Sequence, residues 1–194
     1  MERVTKKRLN WYLRGWEYRA VTKKNGKPGR ELVYTGEYYR IAMDKKRRRT
    51  MKTAAAAVYV LMCAVYLGFE TTLTQGGFVW YAGAPCLLAI LPLFYLGLGV
   101  FNLAASEEYF TYRRMRAAFT RIRVGGKLSA LLLGLGTVGQ TAFVVSYRNV
   151  LSLQPELVML FGALFCCACA IGLLILEKHT PYEEVDPKDL CKKG

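Results

Sequence analysis

The chain has 194 residues, of which 53% are hydrophobic, and it carries a formal net charge of +14. Four apolar runs occupy about half of this length, which leaves room for one membrane bundle and a small appendage and excludes a large soluble catalytic domain. Six cysteines are present, and four of them lie well inside apolar runs, a distribution unlike the disulfide framework of a small secreted protein.

The first 52 residues form a basic region that is rich in aromatic residues. They hold 17 basic and 5 acidic residues, a net charge of +12, together with seven Trp and Tyr residues. A disordered arm would be poor in aromatic residues, so part of this region is expected to pack. Residues 16–24 and 31–41 favour strands, and the Asn25-Gly26 pair between them is typical of a turn. The sequence predicts a β-hairpin with a loop longer than two residues, which needs a surface to pack against.

A run of basic residues leads directly into the first apolar run. It contains Lys45, Lys46, Arg47, Arg48 and Arg49. Such a run determines the orientation of the span that follows, and it also attracts anionic lipid at about 1 kcal/mol per basic residue. Nucleic-acid binding is not favoured, because the sequence contains neither an RNP1 motif nor a zinc-finger spacing.

Each of the four apolar runs can cross the hydrocarbon core of a bilayer as an α-helix. They cover residues 53–69, 78–103, 128–147 and 157–176. The connections 70–77 and 148–156 together hold a single basic residue, Arg148, whereas residues 103–127 hold 6 basic and 2 acidic residues, a net charge of +4. Because basic segments are retained in the cytoplasm, both termini and the central connection are predicted to be cytoplasmic.

The predicted fold class is therefore an all-α integral membrane protein with four transmembrane helices. It divides into a basic region with a β-hairpin (1–52), a four-helix membrane bundle (53–177) and a cytoplasmic tail (178–194). The expected location is a bacterial inner membrane.

Prolines and small residues within the spans predict how the helices pack. Pro92 is expected to kink the second span. Small residues at four-residue spacing predict close helix contacts in the third and fourth spans, and Gln140 needs a polar partner inside the bundle. The candidate residues for helix packing, or for a substrate path, are Pro92, Gly134, Gly136, Gly139, Gln140, Gly162 and Cys166.

The connection between the second and third spans has the pattern of an amphipathic helix. Ser106 and the two glutamates after it are typical of a helix start. Tyr112, Met115, Phe119 and Ile122 then follow at helical spacing. The flanking basic residues are Arg113, Arg114, Arg116, Arg121 and Arg123. The pattern predicts a helix over 106–124 that lies in the membrane interface, ends at Gly125-Gly126 and adds its arginines to the candidate lipid- or partner-binding residues.

Cys166 and Cys169 form a C-x-x-C pair in the fourth span. The pair resembles that of membrane quinone reductases similar to vitamin K epoxide reductase, four-helix proteins with such a pair in a late helix. The resemblance covers four residues and implies thiol–disulfide chemistry. In that family the pair lies toward the outer surface and is served by loop cysteines, whereas here it begins about nine residues into its span and both outer connections lack cysteine.

Three functional hypotheses follow, and the first is favoured. The sequence contains no recognisable catalytic triad, phosphate loop or cluster of metal ligands, and its only histidine, His179, stands alone. The favoured hypothesis is a non-enzymatic accessory or interaction subunit without a cofactor, whose basic surface binds anionic lipid headgroups or an acidic protein partner. The alternative is a component of a small-solute or lipid transporter, a homodimer or a subunit, with a polar-lined path near Pro92 and Gln140. The third is a membrane thiol–disulfide enzyme that uses Cys166 and Cys169.

Overall fold

The computed structural model describes residues 16–22, 28–34, 38–72, 74–106, 109–147, 149 and 152–185. Within these residues the chain is mostly helical. In chain order the elements are β1 (Trp16–Thr22), β2 (Pro28–Tyr34), β3 (Tyr38–Ile41), α1 (Lys45–Glu70), a 3₁₀ turn (Gly76–Phe78), α2 (Trp80–Leu88), α3 (Ile90–Ala104), β4 (Tyr109–Thr111), α4 (Tyr112–Tyr147), α5 (Leu153–Lys178) and β5 (Tyr182–Val185). The predicted Asn25-Gly26 turn, the aromatic residues before residue 16 and the last residues of the tail lie outside the described residues.

The predicted β-hairpin is present. Strands β1 and β2 pair in antiparallel register from Trp16 opposite Tyr34 to Thr22 opposite Pro28, which leaves five residues for the connecting loop. The second strand was predicted to continue to Ile41, and in this respect the prediction is wrong. The hairpin ends at Tyr34, and residues 38–41 form β3, which belongs to a different sheet.

A three-stranded antiparallel sheet closes one end of the bundle, which we call the sheet end. Its central strand, β3, pairs with β4 on one side and with β5 on the other. Ile41 and Phe110 are almost completely buried, and they belong to the same apolar core as the helices. The sequence analysis predicted neither β4 nor β5, because strands of three and four residues carry too little periodicity to be recognised.

Four helical segments are long and apolar enough to cross a membrane: α1, α2 with α3, α4 and α5. Three of them contain a predicted span, and α2 with α3 covers the predicted span 78–103 from Trp80 onward. Helix α4 packs against α5 and against α2 and α3, while α1 packs against α5 and α3. The four spans therefore form a closed ring. Spans that are consecutive in sequence pack against each other, and the contact between α1 and α5 closes the ring.

The second span is interrupted at Ala89, where α2 ends and α3 begins. Pro92 explains the interruption, since it has no N–H to donate to the carbonyl of Leu88 and its ring crowds that carbonyl. The hydroxyl of Tyr66 donates to the carbonyl of Cys86 at 2.9 Å and ties this region to α1. Pro92 itself is buried, so the irregular segment packs within the bundle and does not form an open groove.

The amphipathic helix predicted for residues 106–124 is not a separate element in the interface. It begins at Tyr112 and continues through Gly125 and Gly126 as the first part of α4, a helix of 36 residues. A side chain at Gly125 would lie 2.7 Å from the backbone nitrogen of Leu96, and one at Gly126 would lie 2.9 Å from the side chain of Leu174. The two glycines therefore allow close packing with α3 and α5, and they do not end the helix.

Candidate functional site

Exposed basic side chains surround the sheet end on two helices. They lie in the first turns of α1 and of α4, which directly follow strands of the sheet. These residues, which we call the basic surface, are Lys45, Lys46, Arg47, Arg49, Arg113, Arg114 and Arg116. Both helices continue from these charges into apolar spans, so the charges lie beside the apolar part of the bundle.

Three other arginines that were predicted to bind lipid or a partner have a different environment. Arg48 is only 8% exposed, and Arg121 is half-buried. Arg123 donates to the carboxylate of Glu177 at 2.6 Å, and the side chain of Glu177 is only 6% exposed. The Arg123–Glu177 ion pair joins α4 to the last turn of α5, so Arg123 stabilises the packing of the bundle.

The packing of α4 against α3 shows how far along the bundle each arginine of α4 lies. A side chain at Gly99 of α3 would lie 2.9 Å from Ile122, so these two residues are at the same level of the bundle. Arg121 and Arg123 therefore lie beside the last apolar turns of α3. Arg116 is six residues before Ile122 and lies about 9 Å further toward the sheet end, at 1.5 Å per residue.

An aromatic cluster packs the start of α4 against the sheet. Tyr39 of β3 lies 5.7 Å from Tyr112 of α4 and 6.4 Å from Tyr182 of β5, measured between ring centroids. Phe119 of α4 lies 6.2 Å from Tyr182. Arg116 stacks on Tyr112 at 5.9 Å and donates to its hydroxyl. These contacts hold the first turns of α4 against the sheet and position the side chain of Arg116.

Lys52 makes a further connection at the sheet end. Its ammonium group donates to the carbonyl oxygen of Ser106 at 2.6 Å and to the hydroxyl of Ser106 at 2.7 Å. Ser106 was predicted to begin the next helix, but its hydroxyl donates to the carbonyl of Leu103 and closes the end of α3. Lys52 therefore joins α1 to the end of the second span.

At the opposite end of the bundle, Gln140 has the polar partner that the sequence required. Its side-chain amide donates to the carboxylate of Glu156 at 2.6 Å, and both side chains are almost completely buried. The same carboxylate accepts the backbone N–H of Gln75 at 2.8 Å and that of Gly76 at 3.3 Å. Glu156 thus joins α4, α5 and the connection between α1 and α2. The Gln140 side chain is therefore closed off from solvent within the described residues.

Sequence reasoning placed Glu156 in a connection and did not recognise its role. One signal was available: an acidic side chain in the first turn of a helix, where the helix dipole favours negative charge. Gly76 is the complementary feature, since a side chain there would lie 2.7 Å from the Glu156 carboxylate. The connection can approach Glu156 this closely only because residue 76 lacks a side chain.

Most of the predicted small residues lie at helix contacts. Gly136 and Gly139 of α4 face Cys86 and Tyr81 of α2, and a side chain at Gly162 of α5 would lie 2.7 Å from Phe69 of α1. Gly134 is the exception, because nothing lies within 4 Å of the position that its side chain would occupy. Gly134 therefore faces away from the helix contacts within the chain.

The cysteines of the fourth span face different neighbours. Cys166 is completely buried, and its thiol lies 3.4 Å from the carbonyl oxygen of Met62 in α1. Cys167 makes a similar contact with Ala130 in α4, and Cys169 is a half-buried free thiol. Within the described residues, no three His, Cys, Asp or Glu side chains are grouped so that they could hold a metal ion.

A cleft of about 350 Å³ opens at the same end of the bundle as Glu156. Its walls come from the end of α1, the 3₁₀ turn, α2 and α5. The lining includes Phe69, Glu70, Thr74, Phe78, Trp80 and Met159. Gln140 and Glu156 do not line this cleft, so the buried polar cluster and the cleft are separate features.

Comparison of the chain with protein-family models, curated proteins and solved structures gives no match.

Proposed function

We propose that this chain is a non-enzymatic integral membrane protein, an accessory or interaction subunit whose basic surface binds anionic lipid headgroups on the cytoplasmic side. The observation that carries the proposal is the exposure of seven basic side chains on two helices that continue into apolar spans. A negatively charged leaflet attracts such residues at about 1 kcal/mol each.

The pairing of the strands supports a common side for the three segments that lie at the sheet end. Strand β3 precedes α1, β4 precedes α4 and β5 follows α5, and the three strands form one sheet. In a chain that spans a membrane, these segments can meet only if they emerge on the same side. The basic residues of the first two segments favour the cytoplasm, and a bacterial inner membrane fits this arrangement.

The position of the charges favours lipid over an acidic protein as the ligand. The basic side chains of α1 lie within the two turns that precede the first apolar run, where a helix passes the headgroups. The α4 arginines extend from the last apolar turns of α3 toward the sheet. Charges at the level of the headgroups can contact phosphates of the surrounding leaflet without any further folding of the chain.

The two other hypotheses receive less support from the geometry. A transporter path at Gln140 would need open space, but the Gln140 side chain is fully buried and bonded to Glu156. A thiol–disulfide enzyme would need accessible sulfur atoms, but Cys166 is fully buried against α1.

The test compares phosphatidylglycerol that co-purifies with the full chain and with two variants of the α1 part of the basic surface. In the first variant Lys45, Lys46, Arg47 and Arg49 are all changed to Glu, and buried Arg48 is kept. The matched control keeps every charge by exchanging Lys for Arg and Arg for Lys at the same positions. We expect the reversed variant to retain about tenfold less phosphatidylglycerol than the wild type, because four attractive charges become repulsive. The control is expected to retain the wild-type amount.

Mass spectrometry of lipids and proteins in the same purified samples distinguishes the ligands. Unchanged phosphatidylglycerol in the reversed variant would contradict lipid binding. If the reversed variant instead loses a stoichiometric acidic protein while its lipid content stays constant, the basic surface binds that protein.

A further inference from the structure

The cleft at the opposite end contains one carboxylate, that of Glu70, at the last position of α1. Its Oε1 atom is buried from solvent and has no hydrogen-bond partner among the described residues. No Lys or Arg occurs in the connection from Glu70 to Gly77. Glu70 as a whole is only half-buried and lines the cleft, so a cation in the cleft would gain the attraction of its carboxylate, whereas a neutral molecule would not.

The remaining walls of the cleft suit the apolar part of a cation. Phe78 and Trp80 are 84% and 79% exposed, although they are large aromatic residues. Aromatic rings attract ammonium groups through the negative potential of their faces, as well as contacting apolar groups. Leu87, which is 61% exposed, adds apolar surface. The volume of about 350 Å³ lies at the small end of the range for ligand sites, which fits a molecule of modest size.

We propose that this cleft binds a monovalent organic cation of the ammonium class, whose charge pairs with Glu70 and whose apolar groups contact Phe78, Trp80 and Leu87. The site goes beyond the proposed binding of anionic lipid, because it lies at the other end of the bundle and selects the opposite charge. The ammonium group can belong either to a free amine or to a lipid headgroup. The two sources present the same chemistry to Glu70.

The test measures binding of benzyltrimethylammonium to the full chain in dodecyl maltoside, a neutral detergent without ammonium groups. Trp80 serves as the fluorescent reporter after Trp11 and Trp16 are changed to Phe, since the chain has three tryptophans. Neopentylbenzene, in which carbon replaces the charged nitrogen, is the neutral isostere. We expect saturable binding of the cation and binding of the isostere that is weaker by about fivefold, the scale of one exposed cation–π contact.

Three variants locate the site. Glu70→Gln removes the charge and keeps the shape, and Ala84→Phe fills the cleft while keeping Glu70; both are expected to weaken cation binding by about fivefold. Glu184→Gln, at the exposed β5 strand of the sheet end, removes a matched charge and is expected to bind as the wild type does. Equal affinity for the cation and its isostere, unchanged binding by the two cleft variants, or no binding between about pH 5 and pH 9 would overturn the proposal.

Competition by lipids distinguishes the two sources of the ammonium group. If phosphatidylcholine displaces benzyltrimethylammonium and phosphatidylglycerol does not, the site takes a lipid headgroup. If neither lipid displaces it and the variants behave as expected, the site takes a free organic cation. Displacement by both lipids to the same extent would show that acyl chains occupy the cleft, and it would overturn the assignment to ammonium.

Discussion

At the scale of single residues, the bond between Gln140 and Glu156 has the largest structural consequence. A carboxylate that is 1% exposed would be strongly destabilising without donors, and here one side-chain amide and two backbone N–H groups supply them. Gln140 is the only side-chain donor in this set. The Gln140 amide is therefore the one of these three donors that a single side-chain substitution can remove.

We expect Gln140→Leu to lower the free energy of unfolding by about 1–3 kcal/mol, because it leaves the buried Glu156 carboxylate without that donor. The measurement is thermal unfolding of the purified chain in detergent, followed by circular dichroism. Thr141→Val is the control, since the Thr141 side chain is exposed and bonds only within its own helix. Equal unfolding temperatures for the two variants would show that the bond contributes little.

At the scale of elements, some glycines of α4 lie against a neighbouring helix and others do not, and the sequence alone does not show which is which. Gly125 lies against the backbone of Leu96, whereas Gly134 has nothing within 4 Å of its missing side chain. Both occur in the same helix and both belong to runs of small and apolar residues. Only the position of the neighbouring helix decides which glycine is required.

Alanine substitutions at these two glycines should therefore change stability in opposite directions. We expect Gly125→Ala to destabilise the bundle by about 1–3 kcal/mol, because α3 must move away from α4. Gly134→Ala should have no unfavourable contact and should stabilise the helix by up to about 1 kcal/mol through helix propensity. Thermal unfolding of both variants beside the wild type is the measurement, and a loss of stability in Gly134→Ala would contradict the proposed packing.

The elements differ in how far sequence could predict them. The four apolar helices and the hairpin were predictable, because each depends on patterns within a continuous segment, as in residues 157–176. The continuity of α4 was not, since Gly125-Gly126 normally weakens a helix and only the contacts with Leu96 and Leu174 explain the pair. Among the candidate site residues, the sequence also could not predict that Arg47 is exposed whereas Arg48 is buried. Both arginines belong to the same basic run, and only the packing of α1 in the folded chain determines which side chain is exposed.

At the scale of the whole molecule, the three-stranded sheet links distant parts of the chain. Strand β3 lies before the first span and β5 lies after the last, and they pair over four residues from Tyr38 opposite Val185 to Ile41 opposite Tyr182. The ion pair between Arg40 and Glu183 crosses the same two strands. The sheet thus joins the start and the end of the bundle, and it gives the aromatic cluster and the basic surface one common support.

This arrangement predicts which positions a membrane-impermeant maleimide can reach in intact cells. In a variant without native cysteines, single cysteines replace exposed Thr71 and Ser152 at the opposite end and exposed Glu184 at the sheet end. We expect labelling of Thr71→Cys and Ser152→Cys in intact cells and labelling of Glu184→Cys only after the membrane is permeabilised, because the basic segments keep the sheet end in the cytoplasm. The cysteine-free variant provides the background. The reverse pattern would place the basic surface outside, where no cytoplasmic leaflet could bind it. Labelling of Thr71→Cys and Glu184→Cys from the same side would mean that the helices between them do not cross the membrane an odd number of times.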